Sequence, residues 1–188
     1  MKQMAVFASG NGSNFQALVD AIKSGSLQTE LSLLVCDNKN AFVLERALAE
    51  NIKVFVFDPK QYETKSSFEK EILRELAIHD IDWIVLAGYM RLIGPTLLSK
   101  YSGRIINIHP SLLPSFPGKD AIGQALQAGV GTTGVTVHYV DEGMDTGTVI
   151  SQREVPILST DSKDSLQKRI QAVEHELYPA VLAELLRK

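Results

Sequence analysis

The sequence predicts an α/β fold: an open, doubly wound, mostly parallel sheet of the Rossmann-like kind, with late antiparallel strands and a C-terminal helix. Short apolar runs alternate with helical patterns along most of the 188 residues. Several runs are apolar along their whole length, which is typical of parallel strands covered on both faces. The repeating strand–helix order favours right-handed crossovers within one sheet. The chain length fits one domain, which we expect to span residues 1–188.

Eight of the predicted elements precede residue 110. The apolar runs that we interpret as strands are residues 4–8, 31–36, 54–57, 83–87 and 104–109. The segments with apolar residues at helical spacing are residues 14–23, 41–50 and 62–79. The spaced apolar residues are Phe15, Leu18, Val19 and Ile22 in the first of these helices, and Phe68, Ile72 and Leu76 in the third.

The pattern changes after residue 130. Residues 132–140 and 148–155 are predicted as two more strands, separated by a loop of Gly and Asp and expected to pair antiparallel. A last helix is predicted to start near residues 159–162 and to place Leu166, Ile170, Val173 and Leu177 on one face. Pro179 is expected to kink or restart this helix, because proline lacks a backbone N–H.

Composition and charge limit the classes of protein. Lys plus Arg number 19 and Asp plus Glu number 22, so there is no basic excess to neutralise a nucleic-acid backbone. The single cysteine, Cys36, excludes an intrachain disulfide, and the histidine spacing does not indicate a metal site. No apolar run approaches the ~18–20 residues of a membrane span, and the N-terminus lacks a signal-peptide pattern. We therefore expect a cytoplasmic protein with no nucleic-acid partner, membrane partner or metal.

Ligands of open α/β sheets bind beyond the carboxyl ends of the strands, which selects the loops 9–14, 88–94 and 110–118. The first loop, SGNGSN, opens a helix and is a candidate phosphate site, because glycines let the backbone approach a ligand and a helix N-terminus offers free N–H groups. The alternative interpretation is a strand–helix turn in which Ser13 or Asn14 caps the helix.

The same loop matches part of the dinucleotide-binding fingerprint. Gly10 and Gly12 are present, but Phe15 stands where the third glycine belongs. Asp37 ends the second predicted strand, where a ribose-binding acid would lie. A nicotinamide-dependent dehydrogenase, or a non-catalytic nucleotide-binding module, therefore stays open as a function from another class.

A second group of residues ends the fifth predicted strand. Asn107 and His109 are two residues apart, so they point to the same face and lie ~6–7 Å from each other along the strand. An amide and an imidazole can donate to a developing oxyanion, and the imidazole can move a proton. A polar strand end satisfied by backbone groups is the alternative interpretation.

The loop DEGMDTG, residues 141–147, supplies carboxylates, one of which is expected to reach His109; alternatively it is a solvated hairpin turn. His138 is interpreted as a core residue or as support behind the site, and His79 as structural. The chain has no Gly-x-Ser-x-Gly motif, and Cys36 has no evident helper, which disfavours a covalent acyl-enzyme. An amide, an imidazole and a carboxylate suit direct transfer of a carbonyl group through a tetrahedral intermediate.

The segments SGNGSN, AGYMRLI, NIHPSLLPSFPG and HYVDEGMDTG occur in this order between residue 4 and about residue 180. Together they resemble the folate-dependent formyltransferases. The N-terminal segment SGNGSN is similar to that of the family members that act on glycinamide ribonucleotide in purine biosynthesis. The resemblance implies that 10-formyltetrahydrofolate, as cosubstrate and without a metal, donates its formyl group to the amine of glycinamide ribonucleotide. The implied partners are small molecules, and the protein is expected to be a monomer or a homodimer.

The resemblance also implies a role for individual residues. Asn107 and His109 would hold the formyl oxygen, His109 would donate a proton, and Asp145 would keep His109 protonated. The residues implied to bind the ribonucleotide are Gly12, Ser13 and Asn14 at the phosphate, with Gln171 and Glu174 at the glycinamide. The residues implied to bind the folate are Lys65, Met90, Arg91, Leu92, Ile93, Asp141, Glu142, Gly143 and Met144.

The chain departs from the pattern of these relatives at two places. Lys119-Asp120 stands where several of them carry histidines, and Thr148 stands where proline is usual. Leu113-Pro114 matches a dipeptide that is cis in the family, so a cis bond is expected. A tRNA-specific member is disfavoured by the acidic balance and by the end of the chain at Lys188, whereas a formyltransferase acting on a sugar nucleotide or another amine stays open.

Overall fold

A computed structural model describes residues 1–187. Its strands form one seven-stranded sheet of order β3-β2-β1-β4-β5-β6-β7. The strands are β1 Gln3–Ala8, β2 Glu30–Cys36, β3 Lys53–Val56, β4 Trp83–Leu86, β5 Ile105–His109, β6 Thr132–Tyr139 and β7 Val149–Pro156. The helices are α1 Ser13–Lys23, α2 Val43–Ala49, α3 Lys65–Ile78, α4 Pro95–Tyr101, α5 Ala121–Ala128 and α6 Lys163–Leu186.

The sheet changes direction once along its width. β1 to β5 pair parallel, whereas β5–β6 and β6–β7 pair antiparallel. This arrangement, with helices between the parallel strands and α6 at the C-terminus, confirms the predicted fold class. The β5–β6 register sets Asn107 opposite His138 and His109 opposite Thr136.

Both faces of the sheet are covered by apolar clusters, as the unbroken apolar strands predict. Within β1, Met4 and Val6 belong to the cluster that includes α1 and α6 residues, whereas Ala5 and Phe7 belong to the cluster that includes α3 and α4 residues. The alternation follows from the period of two in a strand.

Two helices are absent from the sequence prediction, and the restart that is one of the two outcomes expected at Pro179 does not occur. α4 and α5 have 7 and 8 residues, too few for a repeated apolar period to stand out. α6 continues through Pro179 to Leu186 without restarting, because Val181 and Leu182 beyond the proline remain buried in the same core. The Leu113-Pro114 bond is cis, as the resemblance implied. Among residues 1–187, none of the helices has the length and apolar character needed to cross a bilayer.

Tyr178 fixes α6 against the sheet near the carboxyl ends of the central strands β4 and β5. Its side chain is fully buried, and its hydroxyl lies 2.8 Å from the carbonyl oxygen of Leu86 and 3.1 Å from that of Ile106. Leu86 ends β4, and Ile106 lies in β5 next to Asn107. The hydroxyl therefore holds the middle of α6 close to the strand ends from which the ligand loops leave.

We expect Tyr178→Phe to lower the free energy of unfolding by about 1–2 kcal/mol, because a buried hydroxyl that donates to backbone carbonyls is lost. Urea unfolding measures the difference. Tyr62→Phe is the matched control, since the Tyr62 ring packs on Phe57 and its hydroxyl has no hydrogen-bond partner within residues 1–187. Equal stability losses in the two variants would show that the Tyr178 hydroxyl does not anchor α6.

Candidate active site

A cleft of about 510 Å³ opens beyond the carboxyl ends of β1, β4 and β5. The three loops selected from the sequence all contribute to it, together with residues of α6 and of the turn before β7. The sequence-predicted residues that line it are Gly12, Ser13, Asn14, Met90, Arg91, Leu92, Ile93, Asn107, His109, Gly143, Met144, Asp145, Gln171 and Glu174. Lys65, Asp141 and Glu142 are not among the lining residues.

His109 lies at the end of β5 with both ring nitrogens facing acceptors. Nδ1 is 3.5 Å from Oδ2 of Asp145, and Nε2 is 2.9 Å from the carbonyl oxygen of Phe116. A carbonyl oxygen accepts only, so Nε2 carries a proton, and only the imidazolium can donate to both neighbours. The ring is nearly buried, which holds it in one orientation.

Asp145 is placed by an unusual backbone conformation. Its φ of 56° is left-handed, which is uncommon for a residue with a side chain. The same Oδ2 that faces His109 accepts a hydrogen bond of 2.8 Å from the backbone N–H of Gly118, and Oδ1 is 3.8 Å from Nε2 of His138. Asp145 thereby connects the turn 141–147 to the loop 110–118.

Asp141 has a structural position in that turn instead of a place on the cleft wall. Its Oδ1 accepts hydrogen bonds from the Gly143 backbone at 3.0 Å and from the Thr146 hydroxyl at 2.7 Å. A Cβ on Gly147 would collide with the carbonyl oxygen of Tyr139, so the turn requires glycine there. These constraints shape the turn that carries Asp145, although Thr148 stands where the resemblance implied a proline.

Asn107 contacts His138 across the β5–β6 pair. The Asn107 amide nitrogen Nδ2 lies 3.2 Å from Nε2 of His138, and Nδ1 of His138 lies 2.8 Å from the carbonyl oxygen of Tyr139. Sequence reasoning left His138 as core or support. The signal that points to it is the period of two in a strand. Thr136 and His138 point to the same face of the sheet, and they lie opposite His109 and Asn107 respectively.

The N-terminus of α1 is open toward the cleft. Gly12 is the residue before the helix, with φ 81°, and no side chain caps the first turn, so the alternative in which Ser13 or Asn14 acts as a side-chain cap is wrong. A Cβ on Gly12 would lie 2.5 Å from a methyl carbon of Val43, which explains the need for glycine. The free first-turn N–H groups and the positive dipole end suit an anion.

Arg46 brings positive charge to the same loop, and sequence reasoning did not find it. Its guanidinium donates to the carbonyl oxygen and the side-chain oxygen of Asn11, both at 2.9 Å. Arg46 lies on α2, 35 positions along the chain from Asn11, so no local sequence signal connects the two.

The α6 wall of the cleft carries a buried carboxyl group. Glu174 is 7% exposed and accepts a 3.1 Å hydrogen bond from Nδ2 of Asn14. Burial raises the pKa of Glu174 to about 7, against a smaller lowering from the Asn14 contact. Gln171 lies one helical turn away on the same wall, so this wall offers an amide and a carboxyl group side by side.

The loop after β4 contributes another part of the cleft lining. The Met90 backbone N–H donates to the Ser9 hydroxyl at 2.9 Å, and Ile93 is buried whereas the Met90 side chain is 68% exposed. Nε of Arg91 lies 2.7 Å from Oδ2 of Asp37. Asp37 is therefore paired with a cation, which disfavours its use as a ribose-binding acid. The fully buried Phe15 ring fills the place of the third glycine of the dinucleotide fingerprint. Both observations disfavour a dinucleotide site.

The two lysines singled out from the sequence occupy different surroundings. Lys65 begins α3 beside Gly94 and lies outside the cleft lining. Lys119 lines the cleft, whereas its neighbour Asp120 caps α5 and lies 2.8 Å from the Lys163 ammonium. Within residues 1–187 there is no group of three or more His, Cys, Asp or Glu that could hold a metal.

Comparison with known proteins decides the family. The family model described as "Formyl transferase" matches residues 2–182. The chain belongs to the formyl transferase family. This formyl transferase is 55% identical to phosphoribosylglycinamide formyltransferase of Bacillus subtilis over 186 residues, covering 99% of this chain and 95% of that protein.

Two further relatives extend the comparison. This formyl transferase superposes on the crystal structure of glycinamide ribonucleotide transformylase 1 from Geobacillus kaustophilus with a TM-score of 0.97 and 67% identity, covering 99% of each chain. It is also 41% identical to the trifunctional purine biosynthetic protein adenosine-3 of Drosophila melanogaster, covering 98% of this chain and 14% of that protein.

We expect Glu174→Gln to stabilise the unliganded formyl transferase at pH 8 but not at pH 4.5. The ordinary pKa of this group is 4.5 and burial raises it to about 7, so the native state binds the extra proton in this window and stability falls as pH rises. The shift corresponds to about 2–3 kcal/mol at pH 8.

Urea unfolding of both proteins at pH 4.5, 6 and 8 measures this difference. Glu184→Gln on the exposed face of α6 is the control and is expected to have no pH-dependent effect. A stability difference between Glu174→Gln and wild type that stays constant across this pH range would contradict the prediction.

Proposed function

We propose that this protein transfers the formyl group of 10-formyltetrahydrofolate to the amine of glycinamide ribonucleotide in de novo purine biosynthesis. The observation that carries the proposal is the meeting of Asn107, His109 and Asp145 in one cleft that also receives the uncapped N-terminus of α1. The cleft thus joins a group suited to a carbonyl in transfer with a site suited to a phosphate. The names of the relatives in Bacillus subtilis and Geobacillus kaustophilus support the same reaction.

In the proposed reaction the ribonucleotide amine attacks the formyl carbon and gives a tetrahedral intermediate. The formyl oxygen becomes an oxyanion that accepts from the Asn107 amide and from His109. Each donor of this kind is worth about 3–4 kcal/mol of transition-state stabilisation. The carbon–nitrogen bond to tetrahydrofolate then breaks, and the proton lost by the amine passes to the departing nitrogen through water.

The contacts of His109 indicate which ring proton serves the oxyanion. Nδ1 faces the carboxylate of Asp145, whereas Nε2 donates to the neutral carbonyl of Phe116. A hydrogen bond to a charged acceptor is stronger than one to a neutral carbonyl. We therefore expect the Nε2 proton to shift from Phe116 to the oxyanion, while Asp145 continues to hold Nδ1.

The two substrates are assigned to different parts of the cleft. The backbone of Gly12, Ser13 and Asn14 would bind the ribonucleotide phosphate, and Gln171 with Glu174 would face its glycinamide. The residues assigned to the folate are Met90, Arg91, Leu92, Ile93, Gly143 and Met144 at the wall, with Asp141 and Glu142 in the turn that closes the pocket and Lys65 beyond it. We assign the whole activity to one domain of residues 1–188, acting in the cytoplasm on small molecules as a monomer or a homodimer.

A formyl-transfer assay with the two substrates, followed by the absorbance of the released folate, tests the function. We expect the wild-type protein to transfer the formyl group between these two substrates. We expect His109→Ala and Asp145→Asn each to lower kcat by about 10²–10⁴-fold, because the proton donor or its partner is removed. His79→Ala at the end of α3 is the control and should retain wild-type kcat. If the wild-type protein transferred the formyl group only to sugar-nucleotide amines, the proposed substrate would be wrong. If either site variant kept a near-normal kcat, the role assigned to that residue would be wrong.

We expect Ser13→Asp to weaken binding of the ribonucleotide by roughly a hundredfold and of the folate by less than about twofold, because it places a negative charge beside the phosphate. The fold should survive, since an acidic side chain is favourable at a helix N-terminus. Calorimetric titration with each ligand measures the two affinities, and Ser13→Asn is the uncharged control of similar size. Equal losses for both ligands would remove the phosphate from this loop.

A further inference from the structure

His138 is a buried polar residue that the sequence leaves as either core or support behind the site, and to which the proposed reaction assigns no role. It is 2% exposed and follows the buried Val137 in β6. Burying an imidazole is costly unless its nitrogens have partners. Both nitrogens of His138 have one, and one of these partners is the proposed oxyanion donor Asn107.

The contact with the backbone determines the tautomer of His138. Nδ1 lies 2.8 Å from the carbonyl oxygen of Tyr139, which can only accept, so Nδ1 carries the proton. In a neutral ring Nε2 is then an acceptor. Because the Asn107 amide nitrogen lies 3.2 Å from this Nε2, the amide donates one of its two N–H groups to the ring.

The surroundings of the ring keep it neutral. Burial lowers the pKa of His138, and the charge of His109 acts in the same direction. The Tyr139 carbonyl and the carboxylates of Asp145 and Asp141 oppose this lowering without reversing it. At neutral pH the ring therefore offers Asn107 a lone pair.

This lone pair decides which way the amide of Asn107 faces. If the amide were reversed, its oxygen would meet the lone pair of Nε2, which is repulsive, so the nitrogen stays on the His138 side. The second N–H of the same nitrogen then remains free for a ligand. The antiparallel register makes the contact possible, because it sets Asn107 and His138 directly opposite each other.

We propose that His138 is a positioning residue that fixes the orientation of the Asn107 amide, so that its free N–H is directed at the formyl oxygen. The inference rests on the proposed formyl transfer and deepens it. His138 has no contact with the reacting atoms in this scheme, and its whole effect on the reaction passes through Asn107.

A double-mutant cycle tests the proposal. We expect His138→Leu, which fills the space without an acceptor, to lower kcat roughly tenfold and to leave both KM values within about twofold. Removing one oxyanion donor altogether lowers kcat by about 10²–10³, and an amide that rotates freely keeps part of that contribution. Asn107→Ala should lower kcat by that full amount. The double variant should equal Asn107→Ala within about twofold, because nothing is left to position.

A rescue variant separates positioning from packing. His138→Gln restores an acceptor near Asn107, so its kcat should be several-fold higher than that of His138→Leu. This recovery is expected even if His138→Gln is no more thermally stable than His138→Leu. If the losses of His138→Leu and Asn107→Ala multiply in the double variant, or if His138→Gln and His138→Leu are equally slow, His138 does not act through Asn107 and the proposal is overturned.

The same assay separates failure of the proposed function from failure of the positioning role of His138. Absence of formyl transfer by the wild-type protein rejects the proposed function itself. Wild-type turnover together with multiplicative losses rejects only the positioning role of His138. His79→Ala again serves as the histidine control, with kcat and KM expected to be those of wild type.

Discussion

One carboxylate, that of Asp145, joins the parts of the cleft on which the proposed chemistry depends. It accepts from the Gly118 backbone, faces Nδ1 of His109 and approaches His138, so it connects two loops and two strands. A left-handed φ at Asp145 aims the side chain inward, and Phe116, whose carbonyl holds the other side of His109, also has a positive φ of 51°. Such conformations are unfavourable for residues with side chains and persist where the surrounding contacts require them.

The sheet supplies the precision that the loops alone would lack. Its parallel half brings the first-helix N-terminus and the loop after β4 to one edge, and its antiparallel half places His138 against Asn107. α6, fixed through Tyr178, completes the cleft with Glu174. Because the chain is acidic overall, the proposed phosphate site would depend on local backbone N–H groups and on nearby Arg46 instead of a general positive field.

The fold was predictable because its strands carry their signal locally. Short, continuous apolar runs such as 83–87 identify parallel strands, and the rule for ligands at carboxyl ends of strands located the three loops that line the cleft. α4 and α5 were missed because 7 or 8 residues hold too little of a helical period. Of the kink or restart expected at Pro179, the restart does not occur, because burial of Val181 and Leu182 outweighs the lost N–H.

The sequence by itself determined the shared face of Asn107 and His109, since a strand has a period of two, and it identified the loops that hold the carboxylates and the first-helix N-terminus. The family resemblance implied that Asp145 meets His109, and the tertiary structure shows that contact. Only the tertiary structure decided which histidine contacts Asn107 and which cation pairs with Asp37. Those contacts join residues that are distant along the chain. They depend on strand register and on left-handed turns, and neither leaves a pattern in the residues immediately around them.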